Sequence, residues 1–222
     1  MKLGKLNTKK LILLVVLSIS MGAITFAQTS GMSVSDQVAL VTEFEVNGLK
    51  VLVKKRPNSP TVAAGLFIRG GARNINADNS GIENFMLEVA TEGSKKFPRD
   101  VLRRELSRTG SGVGASSAND YSILSLGSTL QNFDRSWEVF SDIAMNPAFD
   151  AADIERIRNR IVSGLKEQET DNDNFLDVLQ NRIIYADHPY VNDVSGTLET
   201  VGRFSPANLR AFHKSTMQTS KL

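Results

Sequence analysis

Two imidazoles, His188 and His213, and no thiol are what this 222-residue chain offers for nitrogen or thiolate ligation of a metal. Without cysteine there is no disulfide, no thiolate metal site and no cysteine nucleophile. His188 falls in the loop His188-Pro189-Tyr190. His213 falls near the end of the last predicted helix, where a cation suits the dipole; both are read as structural or solvated. Carboxylates are more numerous. Glu83, Glu88 and Glu92 share one predicted helix, with Glu88 and Glu92 spaced i, i+4, and Asp171, Asp173 and Asp177 add acid farther on. A carboxylate-only cluster would suit calcium or magnesium, but no loop spacing supports one, so these are read as solvated helix faces. Gly110-Ser111-Gly112-Val113-Gly114-Ala115 fits G-x-G-x-x-A. A dinucleotide turn needs a strand before it and a helix after it, whereas here a helical pattern precedes and a strand pattern follows. The charge-rich run Asp153 to Glu169 reads as a solvated helix face, with a partner surface as the alternative.

The elements that must position these groups begin after a targeting segment. Lys2, Lys5, Lys9 and Lys10 precede an apolar run from Leu11 to Phe26, and Thr25-Phe26-Ala27 offers small residues for cleavage. Residues 1–27 are predicted to be a signal peptide cleaved after Ala27, leaving no stable membrane span and a periplasmic or secreted chain. A retained anchor is the alternative, although the run is shorter than the roughly 20 residues a spanning helix needs. The chain has 26 Lys and Arg against 24 Asp and Glu. Four of those lysines lie in the leader, so the remainder is acidic by two and shows no nucleic-acid footprint. Residues 28–40 read as a loose leader. Val41 to Lys54 alternates around Asn47-Gly48, a strong hairpin signal. Thr61 to Arg69 is a further strand. Gly81 to Gly93 is a helix of about three turns, which Ser80 can cap and Gly93 can end, with Ile82, Phe85, Met86 and Val89 as its apolar stripe. Further helices are expected over Arg99 to Arg108, over Phe133 to Met145 with Trp137, Phe140, Ile143 and Ala144 inward, over Ala151 to about Tyr185 with a bend near Thr170 to Asp173, and from Pro206 to about His213. Tyr121 to Ser128 is a strand. The pattern is α+β: a mostly antiparallel sheet with helices packed on one face.

Several short strings share one resemblance: Gly81 and Gly93 with Phe97-Pro98, Arg69-Gly70-Gly71-Ala72-Arg73, Gly114 to Ser122, and His188-Pro189-Tyr190. Their order and spacing resemble the N-terminal domain of the insulinase/pitrilysin metallopeptidases, which include the mitochondrial processing peptidase and the core proteins of the respiratory bc complex. The likeness runs from about Val41 to Met217. It implies a metallopeptidase-like domain over 41–222, ending before its last strand and before a second homologous domain, and hence an open sheet edge.

Active members of that family carry His-x-x-Glu-His where this chain has Asn84 to Glu88. Zinc hydrolysis needs three lone-pair ligands and a carboxylate to take a proton from water. By the resemblance, Asn84 and Glu88 replace the two histidines, Leu87 replaces the general base, and Gly164 stands at the third ligand; a shifted alignment offers Glu167 or Glu169 there instead. No catalytic residue, metal site or cofactor is therefore expected. The resemblance also makes Gly114, Ala115, Ser116, Ser117 and Ala118 an edge strand to which an extended peptide adds through its backbone. The implied function is that of a zinc-less subunit shaping a chamber for unfolded peptides beside a catalytic, zinc-bearing homologue. A zinc endopeptidase with a divergent site, and an assembly protein like the respiratory core proteins, are the alternatives.

Overall fold

Asn47 and Gly48 both take positive φ, 50° and 85°, as the two-residue hairpin turn requires. They join β1 (Val41–Val46) to β2 (Leu49–Lys54) in a two-stranded sheet. The computed structural model describes Ser35 and residues 38–222. The predicted signal peptide and most of the leader lie outside the described residues. Glu43–Leu222 forms one compact unit.

The central sheet is separate from the hairpin. It has three antiparallel strands in the order β3 (Thr61–Arg69), β5 (Tyr121–Thr129), β4 (Gly112–Ser117). Thr61 pairs with Thr129 and Arg69 with Tyr121, while Gly112 pairs with Gly127 and Ser117 with Ser122. Period-two alternation sends Val62, Ala64, Leu66, Ile68, Leu124 and Leu126 to one face, against the helices, where Ile68, Leu124 and Leu126 are fully buried. The opposite face shows Phe67 and Tyr121, both exposed, with ring centroids 5.8 Å apart.

Under the sheet lies α1 (Ile82–Ala90), in contact with β4 and β5 and with three later helices, α4 (Ala151–Thr170), α6 (Leu198–Arg203) and α7 (Pro206–Thr216). It is more deeply embedded than one stripe predicts. Every residue except Asn84 and Glu88 is buried, including Glu83 and Leu87. A helix enclosed on nearly all sides is apolar nearly all round. Its ends also differ from expectation. Gly81, at φ 85°, is the N-cap, and it turns the chain so that Ser80 Oγ donates to Asp193 O at 2.7 Å instead of capping α1. A Cβ on Gly81 would lie 2.5 Å from Gly196 Cα, so this crossing admits only glycine. The helix stops at Thr91, not Gly93. Gly93 instead lets the start of α2 (Arg99–Thr109) pass close by.

In α3 (Phe133–Met145), Ser136, Val139, Phe140, Ile143 and Ala144 are buried and Trp137 is 46% exposed. The helix is rotated from the predicted face because Ser136 hydrogen-bonds Ser128 and Ser111, so a small residue leads the inner stripe. Half-exposed Trp137 packs tilted against Phe133 and the buried Phe140, with ring centroids 5.8 and 5.6 Å away. The predicted bend after α4 is a full break. Asp171 is extended (φ −88°, ψ 118°) and accepts from Asn174 N–H to cap α5 (Asn172–Ile184). Among the described residues, no helix is long and apolar enough to cross a membrane.

Candidate functional site

The two partly exposed positions of α1 are the two that matter for chemistry. Asn84 and Glu88, one turn apart, look across a cleft of about 450 Å³ at Arg160 and Gly164 of α4. Asn84 Nδ2 donates to Glu88 Oε1 at 3.3 Å, and Arg160 Nη2 pairs with Glu88 Oε2. Glu88 thus has its counter-charge from the facing helix. Leu87 turns the other way, fully buried in the core with Phe85 and Met86. Gly164 leaves its side of the cleft bare, with nothing within 4 Å of where a Cβ would stand. Glu167 lines this cleft, whereas Glu169 lines a neighbouring one beside α5.

These side chains do not fit a zinc ion. The Asn84 amide is a poor ligand, Gly164 supplies no donor atom, and the Glu88 carboxylate is already paired with Arg160. Among the described residues, no three His, Asp or Glu side chains form a metal-holding group. His188 Nδ1 accepts from Tyr190 N–H, and the two rings pack edge to face at 4.3 Å. His213 Nε2 lies 2.8 Å from Ala144 O, and burial pushes the ring's pKa below its ordinary value, although that carbonyl opposes the shift. Burial thus disfavours the helix-end cation expected from sequence.

Glu88 and Glu92 do not pair with each other. Glu92 lies 2.7 Å from Arg156, 3.3 Å from Arg99 and 3.5 Å from Arg103. Burial raises its pKa, but the arginines, Arg156 foremost, outweigh that and hold the carboxyl below the usual range. The charged run of α4 is a solvated face only in part: Glu155, Arg160, Lys166 and Glu167 are exposed, whereas Arg156 and Arg158 are half-buried. Arg156 also joins buried Asp153. Arg158 reaches across to donate to Val201 O and to Phe204 O, the latter at 2.7 Å, and lies over the Phe85 ring at 5.2 Å. Those carbonyls are orphans at the end of α6, and a long forked guanidinium can reach both.

Among the described residues, β4 is the outer strand of its sheet, next to β5. Ala118 N–H donates to Tyr121 O at 2.8 Å. Antiparallel alternation then sends the backbone groups of Gly112, Gly114 and Ser116 to β5, and those of Val113, Ala115 and Ser117 to the open edge. A Cβ on Gly114 would meet Ser125 Oγ at 3.2 Å, a tight contact that the glycine avoids. The tip of the β4–β5 hairpin is where the remaining sequence strings meet. Ala72 N–H and Arg73 N–H donate to Ala118 O and Asn119 O, and Tyr190 OH donates to Asp120 Oδ1 at 2.7 Å. A Cβ on Gly71 (φ 73°) would overlap Ala118 O at 1.9 Å, so the loop before α1 docks on this tip through a glycine. Sequence reasoning passed over Ser122 and read Glu83 and Arg160 as parts of solvated helix faces, although Glu83 is 3% exposed; nothing set Arg160, i, i+4 from Gly164, apart from Arg156 and Arg158.

A largely enclosed helix presenting one polar strip to a cleft, beneath a three-stranded antiparallel sheet, makes this an α+β domain. Residues 50–198 match the model of Insulinase (Peptidase family M16), and the chain belongs to that family. Subunit 1 of the mitochondrial cytochrome b-c1 complex of Bos taurus is 26% identical over 194 residues, covering 86% of this chain and 39% of its own length. The chain therefore spans about two fifths of that relative. Two solved structures share the fold. A peptidase M16 inactive domain from Pseudomonas fluorescens has a TM-score of 0.72 at 21% identity, over 78% of this chain and 42% of its own. The periplasmic protease PqqL from Escherichia coli has a TM-score of 0.74 at 17% identity, over 81% of this chain and 21% of its own.

Proposed function

We propose that this chain is a zinc-less, peptide-binding member of the M16 family, exported to the periplasm, which shapes a chamber for unfolded peptides beside a zinc-bearing homologous subunit. One observation carries the reading: where a metal would have to sit, the Arg160 guanidinium meets Glu88, and Leu87 is packed into the core. The open backbone groups of Val113, Ala115 and Ser117 supply an edge that an extended peptide can join, with small side chains allowing close approach. Likeness to a protein described as an inactive domain and to one described as periplasmic supports the role and the compartment.

The test uses the full chain and fluorescein-labelled, reduced and carboxymethylated lactalbumin as an unfolded polypeptide. Saturable binding without cleavage is expected, and Ala115→Pro, which removes an edge N–H, abolishes it. Chelator-sensitive cleavage that disappears in Glu88→Ala would establish the divergent-peptidase reading instead. A second reading, assembly into a membrane complex, is favoured by the likeness to a b-c1 complex subunit. Affinity capture from periplasm and membranes separates the two: a soluble zinc-bearing homologue supports the peptide role, and a membrane complex overturns it.

A further inference from the structure

We propose that Glu83 is a positioning residue for peptide capture, because its buried carboxylate ties α1 and the Gly70-Gly71 loop to the tip of the edge-strand hairpin. The inference rests on the peptide-edge reading above.

Glu83 is 3% exposed, although a carboxylate is among the side chains least often buried. Its Oε1 accepts from Gly71 N–H at 2.8 Å and from Ser122 Oγ at 2.5 Å. Ser122, itself fully buried, is hydrogen-bonded to Ser117 Oγ at 2.8 Å. A serine hydroxyl has one proton. With that proton given to the carboxylate, Ser122 takes the proton of Ser117. The chain of bonds therefore runs from α1 through β5 to the last residue of β4, whose own N–H and C=O face the open edge. Gly70 makes room for it, since a Cβ there would fall 2.2 Å from Glu83 Oε1.

The placement suits a strand that must receive a partner. An edge strand that frays presents its amides in no fixed register, and ordering it on binding offsets part of the affinity. Glu83 fixes the hairpin tip from below, and the Gly71, Ala72 and Arg73 backbone fixes it from the side. Glu83 needs no contact with the peptide to do this. It precedes Asn84 by one residue, so the helix that borders the cleft also holds the edge.

The experiment measures anisotropy of labelled, carboxymethylated lactalbumin with the full chain and its Glu83→Ala, Glu83→Gln, Ser122→Ala and Ala115→Pro variants. Amide hydrogen exchange at Val113, Ala115, Ser117 and Ala118 is followed with and without the polypeptide. Glu83→Ala and Ser122→Ala should each weaken binding about tenfold, the size set by loss of one charge-assisted hydrogen bond, and should speed exchange at Ala118, whose N–H donates to Tyr121 O, in the free protein. Glu83→Gln keeps an acceptor oxygen, so it should rescue affinity to within about threefold. If Ala115→Pro abolishes binding while Glu83→Ala and Ser122→Ala bind like wild type, the positioning role is overturned and the edge reading stands. If Ala115→Pro binds like wild type, the edge reading falls and this inference with it. Should Glu83→Ala not fold, Ser122→Ala, which removes one hydroxyl, decides the matter alone.

Discussion

Restoring the missing ligands tests whether the cleft is a metal site that has lost only its side chains. The perturbation is Asn84→His, Glu88→His and Gly164→Glu together, which places two imidazoles i, i+4 on α1 opposite a carboxylate on α4. The effect on stability without metal is small. Removing the Glu88–Arg160 pair, whose arginine side chain is 60% exposed, costs roughly 0–1 kcal/mol. Replacing a mid-helix glycine whose Cβ position is empty regains roughly 0.5 kcal/mol. With metal, the triple variant should take up about one zinc per chain. At a free zinc concentration of about 100 Kd, that adds about 2.7 kcal/mol. For a domain of this size it raises Tm by roughly 5–10 °C. The assay is calorimetric zinc titration with melting followed by circular dichroism, wild type in parallel. The triple change is also made with Arg160→Ala, so that repulsion between guanidinium and metal is not mistaken for poor geometry. No zinc uptake and an unmoved Tm in both backgrounds would refute the placement of Asn84, Glu88 and Gly164 around one point.

Two further outcomes follow from contacts elsewhere. Arg158→Met keeps much of the packing volume but strips the donors from Val201 O and Phe204 O and the cation from the Phe85 ring; it should destabilise by about 2–4 kcal/mol, read from the urea midpoint at unchanged slope, and a loss under about 1 kcal/mol would mean that water satisfies those carbonyls as well. His213 has its folded pKa below the ordinary 6.5, so the unfolded chain binds more protons as pH falls through 6.5, and stability drops in that window; His213→Asn should flatten the limb between pH 7 and 5, and an unchanged pH profile would count against a neutral, buried imidazole.

Much of the fold was legible because its signals are local. Asn47-Gly48 can make a tight turn whatever surrounds it, and the alternation of Thr61 to Arg69 and Tyr121 to Thr129 states which side faces helices. Ser205 before Pro206 marked the start of α7, whereas the short α6, capped by Thr197, was not foreseen. What failed depended on neighbours. Ser80 has the right chemistry for a cap, but a left-handed Gly81 aims it at Asp193. Trp137 is the largest apolar residue in α3, yet Ser136 claims the inner face through Ser128. The arginines of α4 look alike in one dimension, and only the facing elements give them different partners: Glu92 for Arg156, two carbonyls for Arg158, Glu88 for Arg160.

The residue types alone determined that Asn84, Leu87 and Gly164 cannot supply an imidazole, a general base or a third ligand, since no folding changes what atoms a side chain carries. Tertiary structure decided the rest. It brought α4 across from α1 so that Arg160 neutralises Glu88, and it buried Glu83 beneath a loop and a hairpin that lie at different places in the chain. Charge compensation and burial are properties of what lies nearby in space, which sequence distance does not specify.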